Sequence, residues 1–302
     1  MKQLAVRLSH FITQVDKRSL ALISIPLSLL VVLNYNFALE PAILKIPALS
    51  VRFLVCYSLY ALVFCGSMLV VLPRVHRGEL LQNHFFILLL VVAPAIFAWK
   101  WASGTLLSHD GTAEARYLAI ILNPPLKCAV LFFLLYFIKK AGHYEHPLTG
   151  LRWRGINYRP FVLLLVLSAP IIFYFGSTPA FLENYPRLQR VNFMQSIGSR
   201  QWITATLFEL SYAFDFLFVE VYFRGFLVLA FIRYCGNAAI LPMAALYCTI
   251  HFGKPAVECV SSFFGGILLG VISYHSRSVI AGLVLHLGIG WLMELAGWFW
   301  TK

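Results

Sequence analysis

The chain of 302 residues is 60% apolar and only 12% charged, with a mean hydropathy of +0.80, which excludes an ordinary soluble domain, since such a domain carries about twice that charge. A net charge of +12 would point to nucleic acid in a soluble protein. Here the Lys and Arg fall in short stretches between apolar segments, so orientation in the bilayer and contact with anionic head groups account for them, and no nucleic acid is expected as a partner.

Six cysteines, at 56, 65, 128, 235, 248 and 259, show no CxxC spacing and lie mostly within apolar segments. They read as buried free thiols, which excludes a disulfide framework and a zinc knuckle. In chain order, Lys2, Arg7, Lys17 and Arg18 precede the first apolar run, and no small-residue cleavage site follows it, so that run reads as a retained span. Apolar windows approaching the ~20 residues needed to cross a bilayer then fall near 19–37, 53–72, 85–101, 117–138, 160–176, 203–232, 256–275 and 279–300. A shorter run, 238–251, reads as a tight span or a re-entrant half-helix. The expected fold is therefore all-α, a polytopic transmembrane bundle of about eight membrane-spanning helices. Assigning loops alternately puts the larger share of basic residues on the side of the N-terminus, among them Lys17, Arg18, Arg74, Lys139, Lys140, Arg152 and Arg154, with Arg200 and Lys302 on the other. This predicts a multi-pass protein of the cell membrane with a cytoplasmic N-terminus.

The longest polar stretch, 139–159, divides the chain into an N-terminal four-span bundle, 1–150, and a C-terminal half, 151–302. Polar groups are scarce at membrane depth in the first half, where Asn123 and Lys127 flank Pro124-Pro125, a kink filled by its neighbours. The second half holds Glu209, Asp215, Glu220, Arg224, His251, Glu258, His286 and Glu294. This clustering, without repeated halves, disfavours a transporter.

The stretch FVEVYFRGF puts Glu220 and Arg224 one helical turn apart, so they share a face and neutralise each other. At ~100° per residue, Glu209 lies ~20° from Glu220 and Arg224 ~40° on its other side, so the three line one face. By itself the pair reads as a satisfied ion pair that fixes packing. What adds chemistry is the presence of two histidines at apolar depth on later segments, because imidazoles with carboxylates are the usual parts of a water-activating site. His251 ends the short run in YCTIHFGKPAVE, where Gly253 and Pro255 break one helix and start the next. Glu258 then sits in the new helix's first turn, where it either complements the helix dipole or points back at His251 as a second carboxylate. His286 lies in GLVLHLGIG between Gly282 and Gly290, small residues that admit a neighbouring helix, as do Gly266 and Gly270 in GGILLG. A lone histidine there is more often a hydrogen-bonded core residue than a catalyst.

Taken together, VEVYFRG, YCTIHFGKPAVE and GLVLHLGIG resemble the CPBP family of intramembrane proteases, which includes type II CAAX prenyl endopeptidases and bacteriocin-immunity Abi proteins. The resemblance covers roughly 203–300 and nothing in it reaches residues 1–150. It aligns Glu220 and Arg224 with the second Glu and the Arg of a Glu-Glu-x-x-x-Arg motif. His251 then matches the His of Phe-x-x-x-His, with Tyr247 in the Phe position, and His286 the His of His-x-x-x-Asn. It implies that a Glu and the first His activate a water against a scissile peptide carbonyl while the last His and the Asn stabilise the oxyanion. Two positions depart from the pattern: Val219 stands where the family has its usual base, and Gly290 where it has the Asn. The base role then passes to Glu220 or to Glu258, and HFGKPAVE is similar to a branch of the family with a single Glu in the first motif.

The resulting expectation is an intramembrane endopeptidase, a hydrolase with a modified site, acting on a membrane protein or lipidated peptide in the lipid bilayer. Its catalytic set is Glu220, Arg224, His251, Glu258 and His286. The alternative is a non-catalytic scaffold or immunity-type protein of the same fold, which Val219 and Gly290 favour. Glu220, His251 and His286 are metal-ligand types, yet no close-spaced signature such as HExxH is present, so no cofactor is expected.

Overall fold

A computed structural model describes residues 2–72, 77–107, 111–153, 158–197 and 201–301. Arg74, Arg154, Arg200 and Lys302, part of the loop-charge reading, lie outside the described residues. Among the described residues every regular element is helical. In chain order these are α1 (Lys2–Gln14), α2 (Lys17–Phe37), α3 (Leu39–Leu44), α4 (Leu49–Val71), α5 (Arg77–Gln82), α6 (His84–Ala102) and α7 (Ala113–Ala141). After α8 (Arg159–Gly176) and α9 (Pro179–Leu182), a 3-10 helix covers Arg187–Ile197 and α10 runs Gln201–Glu220. A π-helical stretch, Val221–Val228, leads to α11 (Ile232–Cys235), α12 (Ile240–Thr249), α13 (Ala256–Ser276) and α14 (Ile280–Trp300).

Seven of these helices, α2, α4, α6, α7, α8, α13 and α14, are long and apolar enough to cross a membrane. The window 203–232 forms α10 and its π-helical continuation, an apolar course that carries Glu209, Asp215 and Glu220. The chain is thus an all-helical, polytopic bundle and a multi-pass membrane protein. Within 238–251 the α-helix spans only ten residues, Ile240–Thr249, after a short 3-10 turn, Gly236–Ala239, and all ten are buried. At 1.5 Å per residue that helix covers about 15 Å, half of a bilayer's hydrocarbon. It is a core half-helix, apolar on every side because protein surrounds every side.

From Val221 onward the chain closes i→i+5 bonds, so the segment that carries Arg224 turns less per residue than the α-helix assumed in the sequence reading.

The chain forms two compact units, each drawn from both sides of residue 150. One comprises 1–104, 135–152 and 221–279, the other 105–134, 153–220 and 280–302. The first is centred on α12, which packs on α13, α4 and α2. Close approach to α13 follows from its glycines: a β-carbon at Gly266 would lie 3.2 Å from the Ala244 Cα, and one at Gly270 2.7 Å from the Met243 Cε. Aromatic rings fill the rest, with Phe97 5.3 Å from both Tyr222 and Phe223, centroid to centroid, and the Tyr222 hydroxyl donating to the Ala93 carbonyl. In the second unit α14 packs on α8, and Trp300 donates to the Phe173 carbonyl at 2.9 Å. The Ser211 hydroxyl donates to the Ile121 carbonyl at 2.6 Å, and Tyr117 to that of Thr204 at 3.0 Å. Glu294 accepts the backbone N–H groups of Arg187 and Leu188 at 2.8 and 3.2 Å, so this membrane-depth acid caps the 3-10 helix. All six cysteines are free thiols.

Gly225 brings the π-helical stretch directly onto the segment that follows α7, since a β-carbon there would lie 2.6 and 2.8 Å from the carbonyl oxygens of Leu148 and Thr149. Gly225→Ala is therefore expected to lower unfolding stability by about 1–3 kcal/mol, measured in detergent. Gly265→Ala, where nothing lies within 4 Å of the new carbon, is expected to be neutral or stabilising by up to about 1 kcal/mol.

Candidate active site

In the second unit, α10 ends on Glu220, whose side chain is fully buried. A carboxylate withdrawn from water needs a donor, and His286 on α14 supplies it: the imidazole Nδ1 lies 2.8 Å from Glu220 Oε1. With Glu220 ionised the carboxylate only accepts; the proton of this bond then sits on Nδ1, and in the neutral ring Nε2 is the acceptor. In that arrangement Glu220 selects the tautomer of His286.

Phe216, one turn before Glu220, meets the His286 ring edge to face with centroids 4.7 Å apart and planes at 89°. It also explains Gly290, one turn beyond His286. A β-carbon built on Gly290 would fall onto the Phe216 Cζ and lie 2.9 Å from its Cε2. The space in which an asparagine side chain would begin is filled by the Phe216 ring.

Arg224, Tyr247 and His251 meet in the first unit. Arg224 is fully buried, and its guanidinium carbon lies 4.0 Å from the centre of the Tyr247 ring, a cation–π contact strengthened by the absence of water. The half-buried His251, just past α12, sends Nδ1 to the Tyr247 carbonyl at 2.7 Å and packs its ring 4.6 Å from the Tyr247 ring. A carbonyl only accepts, so Nδ1 again carries the proton and Nε2 is the acceptor of the neutral ring. Glu258 lies in the first turn of α13, 3.7 Å from Lys254 Nζ.

The five sequence-predicted residues thus fall into a Glu220–His286 pair in one unit and an Arg224–Tyr247–His251 cluster, with Glu258 on the next helix, in the other. The sequence names Arg224 as first partner of Glu220; the structure adds His286 as its hydrogen-bond partner. Phe216 went unnoticed, and as one of 26 phenylalanines it carries no signal until its contact with Gly290 is seen. Among the described residues, no group of three or more His, Cys, Asp or Glu side chains is placed to hold a metal ion.

Residues 192–292 match the family model described as "Type II CAAX prenyl endopeptidase Rce1-like". The matched stretch contains all three motifs, so the resemblance to CPBP intramembrane proteases holds over this part of the chain. No curated protein and no solved structure matches the chain.

Replacing Gly290 by the asparagine of the family pattern must displace Phe216. Gly290→Asn is expected to destabilise the protein by about 1–3 kcal/mol, and Gly290→Asn with Phe216→Ala to recover part of that loss. Thermal unfolding of the two single variants and the double variant gives the coupling directly.

Proposed function

We propose that the chain is an intramembrane endopeptidase that hydrolyses a peptide bond of a membrane-associated, lipid-modified substrate. The observation that carries this reading is the bond between buried Glu220 and His286. It is a carboxylate holding one imidazole nitrogen so that the other is basic, inside a stretch matching a protease family. In the first step Nε2 of His286 takes a proton from water as the hydroxide oxygen bonds to the scissile carbonyl carbon. Glu220 balances the imidazolium. The tetrahedral intermediate then breaks its C–N bond, and Nε2–H returns the proton to the leaving amine. In this assignment His286 is the base, and Glu220 its orienting partner in place of the glutamate absent at Val219.

The first two motifs bring Arg224 and His251 into the same proposed reaction, and the sequence reading adds Glu258. His251, held through Nδ1, is the second proton-transfer group; buried Arg224 supplies positive charge, and Glu258 is the reserve carboxylate. The description of the matched family makes a prenylated CAAX-type peptide the first substrate class to try. We place the enzyme in the cell membrane with its N-terminus cytoplasmic, on the loop-charge balance. One observation favours a second reading, a non-catalytic protein of the same fold: Phe216 fills the space beside Gly290 where the family pattern has an asparagine.

Purified protein in lipid nanodiscs, given a fluorogenic prenylated CAAX-type peptide, separates the two. The proposal expects hydrolysis, and a fall in kcat/KM of about 10²–10⁴-fold for each of Glu220→Gln, His286→Ala and His251→Ala. Hydrolysis that survives Glu220→Gln and His286→Ala at the wild-type rate would refute the assignment. Its absence across prenylated and unprenylated membrane peptides supports the non-catalytic reading.

A further inference from the structure

Asn34, Tyr35 and Glu40 lie outside the stretch that matches the protease family, yet all three touch the turn following His251. α2 ends at Ala38, which takes a left-handed conformation with φ 49° and returns its N–H to the Asn34 carbonyl. That reversal brings the Glu40 N–H onto Asn34 Oδ1 at 3.1 Å. With its oxygen so held, Asn34 directs Nδ2 to the Phe252 carbonyl at 3.0 Å, a buried bond between positions 218 residues apart. The Tyr35 hydroxyl donates to the Lys254 carbonyl at 2.6 Å. The Glu40 carboxylate rests on Gly253, where a β-carbon would lie 2.7 Å from Oε1 and 2.9 Å from Cδ. Burial raises the Glu40 carboxyl above the ordinary carboxylate range.

We propose that Asn34 and Glu40 are positioning residues for His251, acting through the turn Phe252–Gly253–Lys254. The turn's own backbone bonds, His251 N–H to the Cys248 carbonyl and Lys254 N–H to the His251 carbonyl, both at 3.0 Å, close it locally. The carbonyls of Phe252 and Lys254 are taken instead by side chains of α2. His251 is thus held at two points, its ring by Tyr247 and its backbone by a turn seated on Asn34 and Glu40. A β-carbon at Gly253 would displace the Glu40 carboxylate from the turn. Misplacement of a reacting group by about 1 Å costs rate far more than binding, so loosening the turn acts on kcat. This rests on the proposed function, in which His251 takes part in proton transfer.

The test measures kcat and KM on the prenylated CAAX-type peptide, and hydrogen exchange over 251–254, for the full chain in nanodiscs. Asn34→Ala and Gly253→Ala are each expected to lower kcat about tenfold or more with KM within about twofold, and to speed exchange in the turn. Tyr35→Phe, which removes one hydroxyl from an exposed ring and leaves the fold intact, is expected to lower kcat roughly threefold. Adding Glu40→Ala to Gly253→Ala makes room for the new methyl but removes one seat of the turn, and is expected to recover only part of the loss. Wild-type kcat in both Asn34→Ala and Gly253→Ala, or a loss with unchanged exchange in the turn, overturns the inference and leaves the proposed function standing. If the wild type hydrolyses no peptide, the proposed function fails, and exchange alone decides the clamp: faster in Asn34→Ala upholds it, unchanged overturns it.

Discussion

A carboxylate with no exposure to solvent is the constraint on which the candidate site depends. Glu220 gives up its hydration at the end of α10, and the 2.8 Å bond from His286 Nδ1 replaces part of what it loses. That bond ties α10 to α14 and, with Glu220 ionised, fixes the imidazole tautomer and leaves Nε2 as the acceptor nitrogen. Phe216 and Gly290 complete the arrangement, a ring pressed on the imidazole and a residue small enough to admit it. Changing either alters the orientation of His286 before it alters chemistry.

In the other unit an aromatic ring faces the buried charge. Arg224 lies over the face of Tyr247, and the carbonyl of the same residue takes the Nδ1 proton of His251. One residue therefore carries a buried cation on its ring and a histidine on its backbone. The tyrosine standing where the family motif has phenylalanine keeps the aromatic face that this requires. The π-helical turns through Val221–Val228 carry Arg224 to that ring, and unusual turns of this kind recur at functional sites.

Much of this was legible in the sequence because burial in a membrane makes charge conspicuous. Glu220, Arg224, His251 and His286 stood out as polar groups at apolar depth, and apolar windows placed the helices that carry them. The short run ending at His251 was visible as too short to be an ordinary span. The partnerships were not legible. Nothing local distinguishes a π-helical from an α-helical continuation after Glu220. The choice of His286 for Glu220 spans 66 residues, and that of Asn34 for Phe252 spans 218. Such pairings are set by how helices pack, which periodicity does not encode. Gly290 read as a lost asparagine from sequence alone; with Phe216 beside it, it is one half of a packed pair.

The tautomer of one ring tests the central claim most directly. In protein labelled with nitrogen-15 at histidine, with the His286 signals assigned by substitution, the account predicts a neutral imidazole protonated at Nδ1 and unprotonated at Nε2. Its Nδ1 proton should shift on Glu220→Gln. A ring protonated at Nε2 and bare at Nδ1, or signals indifferent to Glu220→Gln, would contradict the pair on which the proposed chemistry stands.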